Sequence, residues 1–252
     1  MLPQTIIFLG SKPIGYECLS WLISQQQSLN ITVAGVLTQT RSEFGTAHNL
    51  AQLAESHGIP VIADLNDLPE CDILYSVQYH QILKAEHIAR ARNIAVNLHM
   101  APLPEYRGSN QFSFAILEGK TEFGTTVHVM DSRIDNGDIL FQKRFPIPDN
   151  CWVDDLYKLT YNASMHLFRQ TLAHVLTGNY KRLPQQSLVP RYGTSLHMRS
   201  EMKALKEIDL KWPPEKIDRH IRATSMPGFV PPYCIVGGQK VYFSRTWQHA
   251  NP

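Results

Sequence analysis

Short apolar runs alternate with amphipathic stretches over the first 145 residues of the chain. Residues 5–9 (Thr-Ile-Ile-Phe-Leu) form one such run and end at Gly10, and residues 32–37, 60–62, 72–76 and 94–98 form the next ones. Runs this short, rich in Val, Ile and Leu and bounded by polar residues, predict strands buried on both faces. Between them, residues 14–23, the segment holding Leu50, Leu53 and Ala54, and residues 84–91 place apolar side chains at helical spacing. Strands alternating with helices of this length imply crossover units.

The predicted fold class is therefore α/β: a Rossmann-like, mostly parallel sheet with helices on both faces. Residues 111–118 read as a further helix, and residues 125–130 and 139–145 as strands flanking Asp131-Ser-Arg-Ile-Asp-Asn-Gly-Asp138. Residues 153–176 read as one long helix, with Leu156, Leu159, Leu167 and Leu172 supplying apolar positions and Gly178-Asn179 ending it. Beyond it the texture changes. Residues 181–252 are rich in proline and basic side chains and carry Gly237-Gly238 between two apolar runs, a hairpin signal. The expected organisation is a catalytic domain over 1–180 and a small C-terminal α+β subdomain with a hairpin over 181–252. Ligands of such sheets sit outside the carboxyl ends of the strands, so chemistry is sought just after each apolar run.

Composition adds exclusions. With 43% apolar and 18% charged residues in 252, disorder is excluded. No run approaches the ~18 apolar residues of a membrane span, and Met1-Leu-Pro-Gln opens no signal peptide. The expectation is a cytoplasmic protein without membrane association. The net charge of +2 hides an asymmetry: residues 1–180 carry 12 basic against 17 acidic side chains, residues 181–252 carry 12 against 5. A basic tail suits a phosphate-bearing partner, nucleic acid or a phosphorylated small molecule, or is simply a solvated surface. Cys18, Cys71, Cys151 and Cys234 are too scattered for a metal or redox motif and read as buried reduced thiols.

Gly10-Ser-Lys-Pro-Ile-Gly15 has the glycine spacing of a phosphate loop, but Tyr16-Glu17 stand where Lys-Ser/Thr would be needed. Backbone N–H groups at a helix start, with Ser11 and Lys12, could still hold a phosphate, or the loop is a plain turn. Asn97-Leu-His99 directly follows a strand. Residues two apart on a strand share a side, so an amide donor suited to an oxyanion and an imidazole suited to proton transfer face one cavity. Taken alone, the pair is as readily structural. The Pro102-Leu-Pro-Glu-Tyr-Arg-Gly108 loop follows, and Ile134-Asp-Asn-Gly-Asp138 lies about forty residues after Asn97. The latter reads as a hairpin turn, but offers too few spaced oxygens for a calcium loop.

Together these three segments resemble the folate-dependent formyltransferase family, whose signature joins Asn-x-His, a Leu-Pro-x-x-x-Gly loop and a distal Asp-x-Gly-Asp/Gln. The likeness covers about residues 5–180. It implies transfer of a formyl group from N10-formyltetrahydrofolate to an amine, with Asn97, His99 and Asp135 catalytic. It also implies Ile82, Leu83, Arg107, Gly108, Ile134 and Asp138 as cofactor contacts. Met100-Ala101 departs from the commoner Pro-Ser or Ser-Leu. No metal is expected.

The acceptor is read from the tail. Glu207-Ile-Asp-Leu-Lys-Trp212, residues 217–222 and Met226-Pro-Gly-Phe229 with Tyr233 resemble the tail of the sugar N-formyltransferases, although these aromatics would also suit a small satellite core. That likeness implies a nucleotide-linked (dTDP- or UDP-) amino-deoxysugar as acceptor, dTDP-4-amino-4,6-dideoxyglucose being one such sugar. Ser11, Lys12, Gln78, His80, Phe229 and Tyr233 are then substrate contacts. It further implies a homodimer, no nucleic-acid partner, and a formamido product for O-antigen or lipopolysaccharide. A methionyl-tRNA formyltransferase-like enzyme with a shortened C-terminal domain, and an inactive formyltransferase-like binding module, are the alternatives.

Overall fold

A computed structural model describes residues 2–39 and 48–245. The chain runs through β1 (Gln4–Gly10), α1 (Lys12–Ser24), α2 (Gln26–Leu29), β2 (Ile31–Leu37), α3 (Leu50–Ser56), β3 (Val61–Ile62), β4 (Cys71–Val77), α4 (Ala85–Ile88) and β5 (Ala91–His99). Next come β6 (Tyr106–Gly108), α5 (Gln111–Leu117), β7 (Glu122–Val129), β8 (Ile139–Pro146) and α6 (Val153–Thr177). The tail holds α7 (Val189–Tyr192), β9 (Ser195–His197), α8 (Glu201–Leu205), α9 (Pro214–Thr224), β10 (Tyr233–Val236) and β11 (Gln239–Tyr242).

Seven strands form one sheet in the order β3-β2-β1-β4-β5-β7-β8. The first five are parallel, and β7 and β8 run antiparallel to their neighbours. Side chains alternate between the faces as the strand period requires. Ile6, Phe8, Ile73, Tyr75, Val96 and Leu98 point to one face and pack with Ile14, Cys18 and Leu22 of α1, Ala54 of α3 and Leu172 of α6. Ile7, Leu9, Leu74 and Ala95 point to the other, where Leu65, Leu68 and Leu83 cover them. Phe168 of α6 fixes the first layer, meeting Trp21 and Tyr75 edge-on with ring centroids at 5.6 and 5.1 Å. Emptying that position in a fully buried layer costs about 3–5 kcal/mol.

The expected α/β class is borne out. The helix expected over 84–91 contracts to α4, because β5 begins three residues earlier: Ala91 already pairs with Cys71 of β4. Among the described residues no helix is long and apolar enough to cross a membrane. All four cysteines are free and buried.

The tail is fastened to the body at several places. Leu183 and Ile139 exchange backbone hydrogen bonds, both 2.9 Å. Strand β9 pairs in parallel with β6. Helix α9 lies on α5, with Ala223 buried in the same cluster as Ala115 and Ile116 and Arg222 Nη1 donating to the Cys151 carbonyl at 2.8 Å. The expected hairpin forms as β10–β11, turning at Gly237 and Gly238, both at positive φ.

Candidate active site

Asn97 and His99 stand near the carboxyl end of β5, where the sheet changes from parallel to antiparallel. Asn97 is opposite His128 of β7 in the ladder, so the two side chains emerge on one face as a close cross-strand pair. The loop between β7 and β8 folds back over them. Val129 N–H donates to the Asp138 carbonyl at 2.9 Å, drawing the loop tight against the strand end. Gly137 permits this: a Cβ there would lie 1.9 Å from the Val129 carbonyl oxygen.

The fold-back carries Asp135 to the centre of the site, at φ 45°, a backbone region that non-glycine residues rarely hold without support. The support is visible. Gln185 Nε2 donates to the Asp135 carbonyl at 2.9 Å and to the Gly137 carbonyl at 2.8 Å. The Asp135 carboxylate accepts the Gly108 N–H at 2.9 Å and the Asn97 amide at 3.4 Å. It also faces both imidazoles, with His99 Nδ1 at 3.5 Å and His128 Nε2 at 3.4 Å.

The remaining ring nitrogens meet backbone carbonyls: His99 Nε2 lies 2.7 Å from the Tyr106 oxygen and His128 Nδ1 lies 2.8 Å from the Val129 oxygen. A carbonyl only accepts, so each of these nitrogens carries its hydrogen. Burial disfavours the charged form of His99 and holds its pKa below the ordinary value, against the opposing pull of Asp135. For Asp135 burial works toward a higher pKa. The charges of His99 and His128 and the Gly108 N–H outweigh it and keep the acid far below the usual carboxylate range. The site therefore presents a permanent anion gripping two imidazoles, beside an amide that can serve as donor or acceptor.

Asn97, His99, Asp135 and Gly108, expected from sequence, thus meet in one place. Arg107 Nη1 donates to Asn136 Oδ1 at 3.0 Å, next to the Asp135 loop. Together with Asp138, Gln185 and Asn136 it lines a cavity of about 530 Å³. Ile134 is partly buried in the same loop. Leu83 is packed into the second core layer, whereas Ile82 beside it is 64% exposed. At the other strand ends, Ser11 begins α1 with its hydroxyl buried and unpartnered among the described residues. Lys12 Nζ donates to Gln78 Oε1 at 2.8 Å, and the His80 ring lies on Tyr79. Phe229 and Tyr233 lie on the tail. Phe229 is half exposed, while the Tyr233 hydroxyl donates to Glu207 at 3.2 Å and Lys240 caps its ring.

Sequence reasoning missed His128 and Gln185. His128 is two residues from the end of an expected strand, but only the β5–β7 register shows that it faces Asn97. Gln185 lies fifty residues beyond Asp135 in a turn that gives no pattern.

A family model described as formyl transferase matches residues 54–172. Over that segment the chain resembles the formyltransferases, as the motifs implied, and the match supports formyl transfer. Its fold is, more particularly, that of the sugar N-formyltransferases. The sugar 3N-formyltransferase WlaRD, solved with dTDP and 5-N-formyl-THF, superposes with a TM-score of 0.78 at 23% identity, covering 96% of this chain and 85% of that one. The N-formyltransferase of Helicobacter canadensis, in complex with folinic acid and dTDP-3-aminofucose, superposes with a TM-score of 0.76 at 21% identity, covering 95% and 86%. In sequence, the methionyl-tRNA formyltransferase of Lacticaseibacillus casei (strain BL23) is 26% identical over 94% of this chain and 76% of its own length. That of Geobacillus thermodenitrificans (strain NG80-2) is 29% identical over 86% and 70%.

Proposed function

We propose that the protein moves a formyl group from N10-formyltetrahydrofolate to the amino group of a nucleotide-linked amino-deoxysugar. The observation that carries the acceptor is the tail. It folds as α9 and a two-stranded hairpin docked on the body, and the likeness to sugar N-formyltransferases runs through it, covering 96% of the chain. The cavity beside the Asp135 loop, about 530 Å³, has the size of a small-molecule site.

The chain's own groups suit the co-substrate. Ile82 projects outward beside the buried Leu83. An apolar shelf of this kind fits a flat pterin ring. The amine nitrogen attacks the formyl carbon, a C–N bond forms, and the carbonyl oxygen becomes an oxyanion. Asn97 and His99 stabilise that oxygen. The bond to N10 then breaks, and the proton lost by the amine ends on N10, with His99 as carrier. Asp135, held anionic, orients His99 and balances its charge. For His99 to exchange a proton, one of its two ring contacts must open, and the 3.5 Å approach to Asp135 is the longer.

Ser11, with its buried and unpartnered hydroxyl, and Lys12 belong to the pyrophosphate in this reading, and Phe229 or Tyr233 to the base. Residues 181–252 form the acceptor-binding part. A homodimer contacts itself through the half-exposed Ile235, Val236 and Val241 of the hairpin. The intact Asn97–His99–Asp135 set argues against an inactive module. The sequence likeness to methionyl-tRNA formyltransferases supports a second reading, tRNA as acceptor. Tetrahydrofolate release with a panel of nucleotide-linked 3-amino and 4-amino deoxysugars and initiator methionyl-tRNA decides between them. Turnover with a sugar is expected; turnover with the tRNA alone refutes the sugar reading.

A further inference from the structure

We propose that His128 is a positioning residue that sets which end of the Asn97 side-chain amide faces the reacting groups. The proposal rests on the formyl-transfer reading and follows from hydrogen-bond bookkeeping around one nitrogen.

His128 Nδ1 spends its hydrogen on the Val129 carbonyl, so Nε2 of the neutral ring is a bare acceptor. Nε2 lies 3.1 Å from Asn97 Nδ2, and the same Nδ2 lies 3.4 Å from Asp135 Oδ1. Both N–H groups of Asn97 are then turned inward. Its Oδ1 points away, and nothing among the described residues bonds it. An amide held this way can accept an N–H from an incoming amine, but it cannot donate to an oxyanion.

A second proton on His128 inverts the arrangement. Nε2–H now donates to Asp135 Oδ1, 3.4 Å away, as a charge-assisted bond. The same hydrogen makes the 3.1 Å contact to Asn97 Nδ2 donor against donor. A half-turn of the amide removes the conflict by bringing Oδ1 to Nε2 and sending both N–H groups outward, toward the formyl oxygen. The terminal torsion of Asn is broad and nearly two-fold, so the half-turn is open to it. The other titratable groups facing His128 are Asp135 from the loop and His99 from β5, whose ring centroid is 6.3 Å away. In this scheme the enzyme with neutral His128 turns the Asn97 oxygen to the incoming amine, and the enzyme that has taken a proton from solvent onto His128 before attack turns the Asn97 nitrogen to the oxyanion.

Two measurements test this. The first is a double-mutant cycle of His128→Leu and Asn97→Ala read by tetrahydrofolate release. His128→Leu is expected to lower kcat about 10²-fold, the scale of one lost oxyanion donor, with KM for both substrates within about 3-fold. In the Asn97→Ala background the same substitution is expected to change kcat by less than about 3-fold, because residues acting through each other are not additive. Independent, multiplying losses overturn the proposal. If His128→Leu does not fold cooperatively, His128→Gln takes its place. The second measurement needs no acceptor, so it separates failure of this inference from failure of the formyl-transfer reading. The Asn97 side-chain ¹⁵N resonance is followed through the titration of the His128 ring. A shared midpoint that vanishes in the His128 variant is expected, and an amide signal indifferent to the ring overturns the proposal.

Discussion

Replacing Gln185 by Leu tests how the tail serves the site. Gln185 is 7% exposed, and its single Nε2 bridges the carbonyls of Asp135 and Gly137 at 2.9 and 2.8 Å. Leucine keeps the bulk and removes both donors. A buried acceptor left without a partner costs about 1–3 kcal/mol, so losing two predicts a stability loss of roughly 2–4 kcal/mol. The catalytic effect follows from Asp135 sitting at φ 45°, a backbone that relaxes unless it is held. A shift of about 1 Å in the carboxylate is enough to lower kcat about 10²-fold. Urea unfolding and tetrahydrofolate release read the two effects separately. Gln185→Glu sharpens the test through its sign with pH. As a carboxylate it opposes both carbonyls, and as an acid it regains one O–H donor. Its folded pKa is therefore raised, and the regained stability is present at low pH and lost as pH rises through that value. Full kcat together with wild-type stability in Gln185→Leu would refute the reasoning.

Further outcomes are expected. Gly137→Ala forces a methyl to within 1.9 Å of the Val129 oxygen, so stability falls by about 2–4 kcal/mol and turnover is lost with it; an unchanged urea midpoint contradicts the fold-back. Asp135→Ala and His99→Asn abolish turnover while unfolding stays cooperative by circular dichroism, and activity retained in both means that the set is misassigned. Ser11→Ala removes a buried hydroxyl with no partner, so stability stays within about 0.5 kcal/mol while the acceptor KM rises about 10-fold; an unmoved KM removes Ser11 from the acceptor site. For pH, His99 and Asp135 both have folded pKa values below their ordinary 6.5 and 3.8. The unfolded chain then takes up protons first on acidification, so stability is full above about 6.5 and falls below it, first through His99 and under 3.8 through Asp135. Urea midpoints that hold constant from pH 8 to pH 4 contradict this.

Much of this was open to a reader of the sequence, for a physical reason. Buried parallel strands leave continuous apolar runs, and β1, β2, β4 and β5 fall on the runs at 5–9, 32–37, 72–76 and 94–98. Asn97 and His99 share a face because strand geometry dictates it, and Asp135 was found through a motif. Hidden features depended on pairing between distant segments. Residues 106–108 read as a proline-bearing loop, yet they form β6, because β9 from the tail supplies its partner. That pairing holds the strand whose Tyr106 carbonyl accepts from His99 and whose Gly108 N–H reaches Asp135. No local pattern announces a three-residue strand completed ninety residues later.

The charge asymmetry illustrates the same point from the tail. By count the tail carries a surplus of seven positive charges, which suggests a broad electrostatic lure. The structure engages many of them internally. Arg222 binds Asp218 and the Cys151 carbonyl, Arg245 binds Asp154 and Asp155 at the start of α6, and Lys206 reaches the Val230 carbonyl. Lys216 and Lys240 lie over the rings of Trp212 and Tyr233 at 4.0 Å. Guanidinium and ammonium groups used this way fasten the tail to the body and to itself. The tail then acts on chemistry through uncharged contacts: the Gln185 amide on the Asp135 loop, and β9 on β6. A neutralising change such as Arg222→Gln should loosen the docking of α9, whereas Gln185→Leu should strike Asp135 directly. Net charge read along a sequence measures neither effect, because it cannot distinguish a cation offered to a ligand from one already bound within the fold.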